Sequence, residues 1–251
     1  MLSLVRFLKQ SLRAAGIEVL PAKSVATARR DFDAFELDLV AQVRPFSMTS
    51  VDRLVVLSRA VDHLARRNIR GAIVECGVWK GGSMMAVART LMHVGVLDRE
   101  LYLFDTFEGM APPTSIDLSV LGQSASEIYE QKRCSNSHWA KAGLEEVRAN
   151  LLKTGYPSNL VRFVVGKVED TLPARAPGEI ALLRLDTDWY ESTKHELETL
   201  WPRVVSGGIV IFDDYGHWQG HRRAVDEYFE SIGTFPFLNR IDYAGRLVVK
   251  S

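Results

Sequence analysis

Two apolar runs that stop at acids constrain this chain more than any other feature. Ile180 to Leu185 ends at Asp186-Thr187-Asp188, and Gly208-Ile209-Val210-Ile211-Phe212 ends at Asp213-Asp214. Between them, Tyr190 to Val204 has the apolar spacing of a helix, so the region reads as strand, helix, strand. Strands joined in that way are parallel neighbours, which puts both acidic ends on one rim. Carboxylates gathered on one rim repel each other unless a cation sits between them. Oxygen-only ligands favour a hard divalent ion, Mg²⁺ first. The competing reading is that the acids cap the helices that follow, as strand-to-helix turns favour.

The same alternation begins at Gly71. Ala72 to Cys76 reads as a buried strand, Gly77 to Ser83 as a loop and Met84 to Val94 as a helix. Leu101 to Phe104 is the next strand and ends at Asp105. Residues 110–140 break the rhythm with Pro112-Pro113 and a polar tract around His138, and an irregular insertion after a strand end reads as a substrate lid. Leu144 to Leu152 (helix) and Val161 to Val165 (strand) follow, and His221 to Ile232 is a last helix. Phe237 to Ile241 and Arg246 to Lys250 read as a hairpin. Five alternating parallel strands closed by a terminal antiparallel hairpin describe a doubly wound α/β sheet.

Upstream, residues 1–70 read as a helical extension to a domain over 71–251. Leu4, Phe7, Leu8 and Leu12 share one helical face, and Phe32, Phe35, Leu39 and Val43 share another before Arg44-Pro45. Ser47 to Ser50 offers an N-cap to a third helix carrying Leu54, Leu57, Val61 and Leu64.

Net charge is zero over the 251 residues, which argues against a nucleic-acid partner held by bulk electrostatics. No stretch approaches the ~18 apolar residues of a membrane span and no signal peptide is evident, so the expected location is cytoplasmic. The two cysteines, Cys76 and Cys134, have neither metal spacing nor a disulfide framework.

The loop Glu75-x-Gly77-x-x-x-Gly81-Gly82-Ser83 follows a strand and opens a helix, which offers backbone N–H groups to an anion. It is neither a dinucleotide fingerprint nor a P-loop, because Lys80 precedes the glycine pair. Asp105, at the next strand end, suits the two hydroxyls of a ribose, or else caps a turn. Gly166-Lys167-Val168-Glu169-Asp170 ends the third strand, where an adenine edge would lie. Trp79, Trp189, Tyr190 and Trp218 offer either an apolar wall for a ring or core packing. His138, His217 and His221 are either proton carriers or plain loop and cap residues.

Taken together, four segments resemble the macrocin O-methyltransferase family, whose relatives include mycinamicin and novobiocin sugar methyltransferases. They are Glu75 to Ser83, Asp105-Thr106-Phe107-Glu108-Gly109, Arg184 to Thr193, and Gly207 to Gly216. The likeness runs from about Pro45 to the C-terminus. It implies a class I methyltransferase fold that uses S-adenosylmethionine (SAM) and Mg²⁺ to methylate a hydroxyl, typically on a sugar. By that resemblance Glu75, Gly77, Val78, Trp79, Gly82 and Ser83 would hold the methionine part of SAM. Asp105, Thr106 and Phe107 would hold its ribose and flank the adenine, with Val168 beside it. Met48 and Thr49 look like an additional SAM-contacting segment. Asp186, Asp213 and Asp214 match the metal ligands, and Asp186, also beside the cofactor, matches the residue proposed as base. A homo-oligomer is expected on resemblance alone.

The chemistry is self-consistent. Coordination to a divalent cation stabilises a developing alkoxide, a nearby carboxylate takes the proton, and the sulfonium supplies the methyl group. A metal that takes two vicinal oxygens predicts a diol-like acceptor. The rivals are a catechol-type methyltransferase acting on an aromatic diol and a non-catalytic SAM-binding domain. A nicotinamide oxidoreductase is disfavoured by the first glycine loop.

Overall fold

The computed structural model describes residues 31–134 and 140–251. The chain divides into two units, Met1–Leu37 and Asp38–Ser251. The expected helical face of Leu4, Phe7, Leu8 and Leu12 lies outside the described residues, as does His138. Helix α1 (Ala34–Val43) opens with a reciprocal cap: Asp33 N donates to Glu36 Oε2 at 3.0 Å and Glu36 N donates to Asp33 Oδ1 at 2.8 Å. It gives way to a 3₁₀ turn over Arg44–Phe46, because Pro45 restricts the residue before it. Helix α2 (Val51–Arg66) is capped by Ser50, which accepts from Arg53 N at 3.2 Å.

The sheet has the order β3-β2-β1-β4-β5-β7-β6. Strands β1 (Ala72–Cys76), β2 (Leu101–Asp105), β3 (Val161–Val165), β4 (Ile180–Leu185) and β5 (Val204–Phe212) are parallel. Strand order reverses between β1 and β4, and ligands of doubly wound sheets bind at such a switch point, beyond the carboxyl ends. Helices α3 (Gly82–His93), α5 (Leu144–Leu152), α6 (Val168–Thr171), α7 (Tyr190–Leu200) and α8 (Gln219–Ser231) complete the alternation. The terminal hairpin is β6 (Asn239–Arg240) and β7 (Arg246–Val249), with β7 antiparallel to β5.

The central strands are buried on both faces, which explains their continuous apolar runs. Two charges interrupt them, and the register makes them partners: Glu75 on β1 stands opposite Arg184 on β4. Either charge alone would cost several kcal/mol to bury, so the pairing of strands and the pairing of charges require each other.

Three expectations are corrected. The helix after the acidic loop stops at Leu200 rather than Val204, because Pro202 forces a 3₁₀ turn over Trp201–Arg203. Strand β5 begins at Val204, five residues before the expected strand start at Ile209, since Val204 pairs with Ile180 ahead of a register shift. The insertion after β2 is not wholly irregular. It contains α4 (Ala125–Cys134), and its first half is tied down. Asp117 is fully buried there; it accepts from Thr114 N at 2.8 Å and from Tyr190 N, at the start of α7, at 2.9 Å. No helix among the described residues is long and apolar enough to cross a membrane.

Candidate active site

The carboxyl ends of the central strands open on a cavity of about 620 Å³, within the range of small-molecule sites. Its first wall is the glycine loop. Gly77 has φ +82°, and a Cβ there would stand 2.0 Å from the Asp186 carbonyl oxygen. Only glycine lets the loop after β1 pack on the acidic loop after β4. Val78, Trp79, Gly82 and Ser83 line the cavity, so the start of α3, which Gly81 caps with no side chain, forms part of this wall.

Asp105 organises this wall. Its Oδ2 accepts from Val78 N at 2.7 Å and Trp79 N at 3.1 Å, and its Oδ1 accepts from Phe107 N at 2.7 Å. The carboxylate expected for a ribose therefore already ties the two loops together. Thr106 and Val168 line the cavity beside it. Phe107 is buried behind them, edge-on to Phe163 at 6.2 Å. Met48 and Thr49 reach the cavity from the segment before α2; Met48 is exposed and Thr49 buried.

The floor is an ion network centred on Arg184. Its guanidinium lies 2.6 Å from Glu75 Oε1, 2.7 Å from Asp186 Oδ2 and 2.7 Å from Asp213 Oδ1, and donates to Thr49 Oγ1 at 2.7 Å. Arg53 pairs with the other Asp213 oxygen and with Asp242 of the hairpin turn at 3.0 Å. Burial alone would lower the Arg184 pKa; the charges of Asp186, Asp213 and Glu75 outweigh it and hold the guanidinium firmly charged. Burial pushes Glu75 up to about 7 even though Arg184 opposes it.

Asp186, Asp188 and Asp214 converge in front of this network, each offering an oxygen within 4.8 Å of the others. Burial raises Asp186 and Asp214 well above the carboxylate range, and the neighbouring acids add to it. Asp188 is pushed up to about 7 by burial first and by Asp186 and Asp213 after that. Asp188 also has φ +67°, an uncommon conformation for a residue with a side chain. Among the described residues, Asp214 Oδ2 has no hydrogen-bond partner. Three crowded carboxyls, one with an unpartnered buried oxygen, fit a hard divalent cation. The sequence grouped Asp213 with Asp186 and Asp214. In the structure the two Asp213 oxygens face Arg184 and Arg53, and the third convergent acid is Asp188.

The opposite wall is apolar. Trp189 and Trp218 are buried with ring centroids 5.0 Å apart, packed against Met110, Ala111 and Ile128. Trp189 Nε1 donates to Ala111 O at 2.8 Å. The indoles thus serve as wall and as core together. His217 lines the cavity, its ring against Trp218; burial and the Arg53 charge lower its pKa. His221 is buried between helices, 3.0 Å from Thr193 Oγ1, and does not line the cavity. Sequence reasoning assigned no role to Arg53 or Arg184. Arg184 did carry a signal, a single cation inside a buried strand; Arg53 carried none, because α2 shows it as one more polar position.

The profile of the macrocin O-methyltransferase family (TylF) matches residues 8–249. The chain belongs to this family. It is 35% identical over 200 residues to the 8-demethyl-8-(2,3-dimethoxy-alpha-L-rhamnosyl)-tetracenomycin-C 4'-O-methyltransferase of Streptomyces olivaceus, covering 79% of this chain and 73% of that one. It is 30% identical over 199 residues to the mycinamicin III 3''-O-methyltransferase of Micromonospora griseorubida, covering 79% and 76%. Among solved structures, the O-methyltransferase NovP superposes with a TM-score of 0.71 at 32% identity over 82% of each chain. This member of the macrocin family is a SAM-dependent O-methyltransferase with the class I fold.

Proposed function

We propose that the protein methylates a hydroxyl of a sugar carried by a natural product, with a divalent cation, Mg²⁺ first, held by Asp186, Asp188 and Asp214. The observation that carries the metal reading is the convergence of those acids with an unpartnered Asp214 oxygen. The sugar acceptor rests on relatives whose activities are named for glycosides. Bound there, a divalent cation supplies Lewis acidity that eases loss of the hydroxyl proton.

The residues divide the remaining tasks. The glycine loop, the start of α3 and the Asp105 amide cluster form the cofactor wall, which fixes the direction from which the methyl group arrives. Glu75 sits too deep to touch the acceptor and fixes Arg184, which in turn aims Asp186. Trp189 and Trp218 exclude water and present an apolar face to one side of the acceptor ring. Asp186 is the residue the family resemblance makes the base. A specific observation favours Asp188 as an alternative: burial pushes its carboxyl up to about 7, which suits a proton acceptor, and among the described residues no salt bridge ties it to a guanidinium, whereas Arg184 holds Asp186 at 2.7 Å.

The test is methyl transfer from SAM to a panel of deoxysugar glycosides and catechols, followed by the mass gain of the acceptor. Glycoside methylation that EDTA stops and Mg²⁺ restores is expected. Methylation of catechols alone would overturn the sugar reading, and indifference to EDTA would overturn the metal reading.

A further inference from the structure

The loop that carries Asp186 and Asp188 is braced from behind by a carboxyl group that the reaction does not touch. Glu196 sits on the buried side of α7 and is fully buried. Its Oε2 accepts from Thr187 Oγ1, the residue between the two acids, at 3.1 Å. The buried thiol of Cys76, at the end of β1, lies against the same carboxyl group. Glu196 does not line the cavity, whereas Thr187 does.

Three further contacts meet at this loop. Asp186 N donates to Cys76 O at 2.9 Å, and Trp189 N donates to Thr187 O at 2.8 Å. Gly77 packs on the Asp186 carbonyl so closely that no larger residue fits. Between them Asp188 holds a left-handed conformation that, for a residue with a side chain, costs on the order of 1 kcal/mol and must be imposed by its surroundings. The backbone contacts fix Asp186 and Trp189. Among the described residues, the hydroxyl bond from Thr187 to Glu196 is the side-chain contact that fixes the middle of the loop. Burial raises the Glu196 pKa well above its ordinary range, which opposes a further negative charge behind the acidic cluster.

We infer that Glu196 is a positioning residue, which through the Thr187 hydroxyl holds Asp186 and Asp188 in the convergent geometry that binds a divalent cation. This rests on the metal reading of the same three acids. Groups that orient metal ligands typically change metal affinity ten- to a hundredfold when removed. Because the bond asks of residue 196 only an oxygen that accepts, an amide should serve as well as an acid, since a Gln carbonyl accepts the same hydroxyl.

The experiment is calorimetric titration of Mn²⁺ into the S-adenosylhomocysteine (SAH) complex of wild type, Glu196→Gln, Glu196→Leu and Thr187→Val, with melting temperatures measured without metal. Glu196→Leu and Thr187→Val should each weaken Mn²⁺ binding about tenfold while SAH affinity stays within about twofold. Glu196→Gln should bind Mn²⁺ within about twofold of wild type. Thr187→Val keeps the test decisive if Glu196→Leu does not fold. Unchanged Mn²⁺ affinity in Thr187→Val, with or without a lower melting temperature, would overturn the inference. Loss of affinity in Glu196→Gln as large as in Glu196→Leu would do the same, since it would make the charge rather than the bond responsible. A wild type that binds SAH but no Mn²⁺ would overturn the metal reading itself.

Discussion

Replacing Arg184 with Met removes the one cation that Glu75, Asp186 and Asp213 share in the floor of the site. Met fills much of the same volume, so the loss is electrostatic. Removing one partner of a buried ion pair costs about 3–5 kcal/mol. For a domain of this size each kcal/mol lowers the melting temperature by about 2–4 °C, so a fall of about 10 °C is expected. The pH dependence tests the cause. The folded-state pKa of Glu75 is raised from 4.5 to about 7, so the folded state holds a proton that the unfolded chain releases. The stability from that proton is present below 4.5 and is lost as pH rises to about 7, where wild type stops losing it. Without Arg184 the carboxyl must keep its proton above 7, at up to about 1.4 kcal/mol per further pH unit. The gap between variant and wild type therefore widens by roughly 2 kcal/mol between pH 7 and pH 8.5. Urea denaturation at the two pH values, in EDTA, measures it. A gap below about 1 kcal/mol, or one equal at both pH values, would refute the argument.

Three other outcomes follow from the same geometry. Divalent-cation affinity should fall as pH drops through about 7, because Asp188 then holds a proton that the ion must displace; calorimetry in two buffers of different ionisation enthalpy would count the protons released. Gly220→Ala should impair acceptor use while SAH affinity holds, because the new Cβ would stand 2.2 Å from Asp117 Oδ1 and dislodge the tied half of the insertion; an unchanged acceptor KM counts against this. Asp105→Ala should abolish SAH binding by releasing the amides of Val78, Trp79 and Phe107, and SAH affinity within tenfold of wild type would contradict that role.

Much of this was legible in the sequence. Strand–helix alternation exposed the doubly wound sheet because β1 and β4 are buried on both faces and so read as unbroken apolar runs. Both acidic ends do lie on one rim, as parallel neighbours require. What stayed hidden depended on side-chain direction. Asp213 and Asp214 are adjacent in sequence, yet Asp213 turns to Arg184 and Arg53 while Asp214 turns to Asp186 and Asp188. Nothing in a two-residue acidic motif says which carboxylate meets a guanidinium from β4 or α2. Asp117 was equally silent, since a lone acid in an irregular tract gives no sign that it will satisfy the start of a helix some seventy residues away.

The central claim is that Asp186, Asp188 and Asp214 form a divalent-cation site beside the cofactor wall. Titration of Mg²⁺ into the SAH complex of wild type and Asp214→Asn tests it most directly. The account predicts one Mg²⁺ per chain in wild type and none in Asp214→Asn, with SAH affinity within about twofold in both, because Asp214 supports the ion and not the cofactor wall. A wild type that binds SAH without Mg²⁺, or an Asp214→Asn protein that binds Mg²⁺ as tightly as wild type, would contradict it.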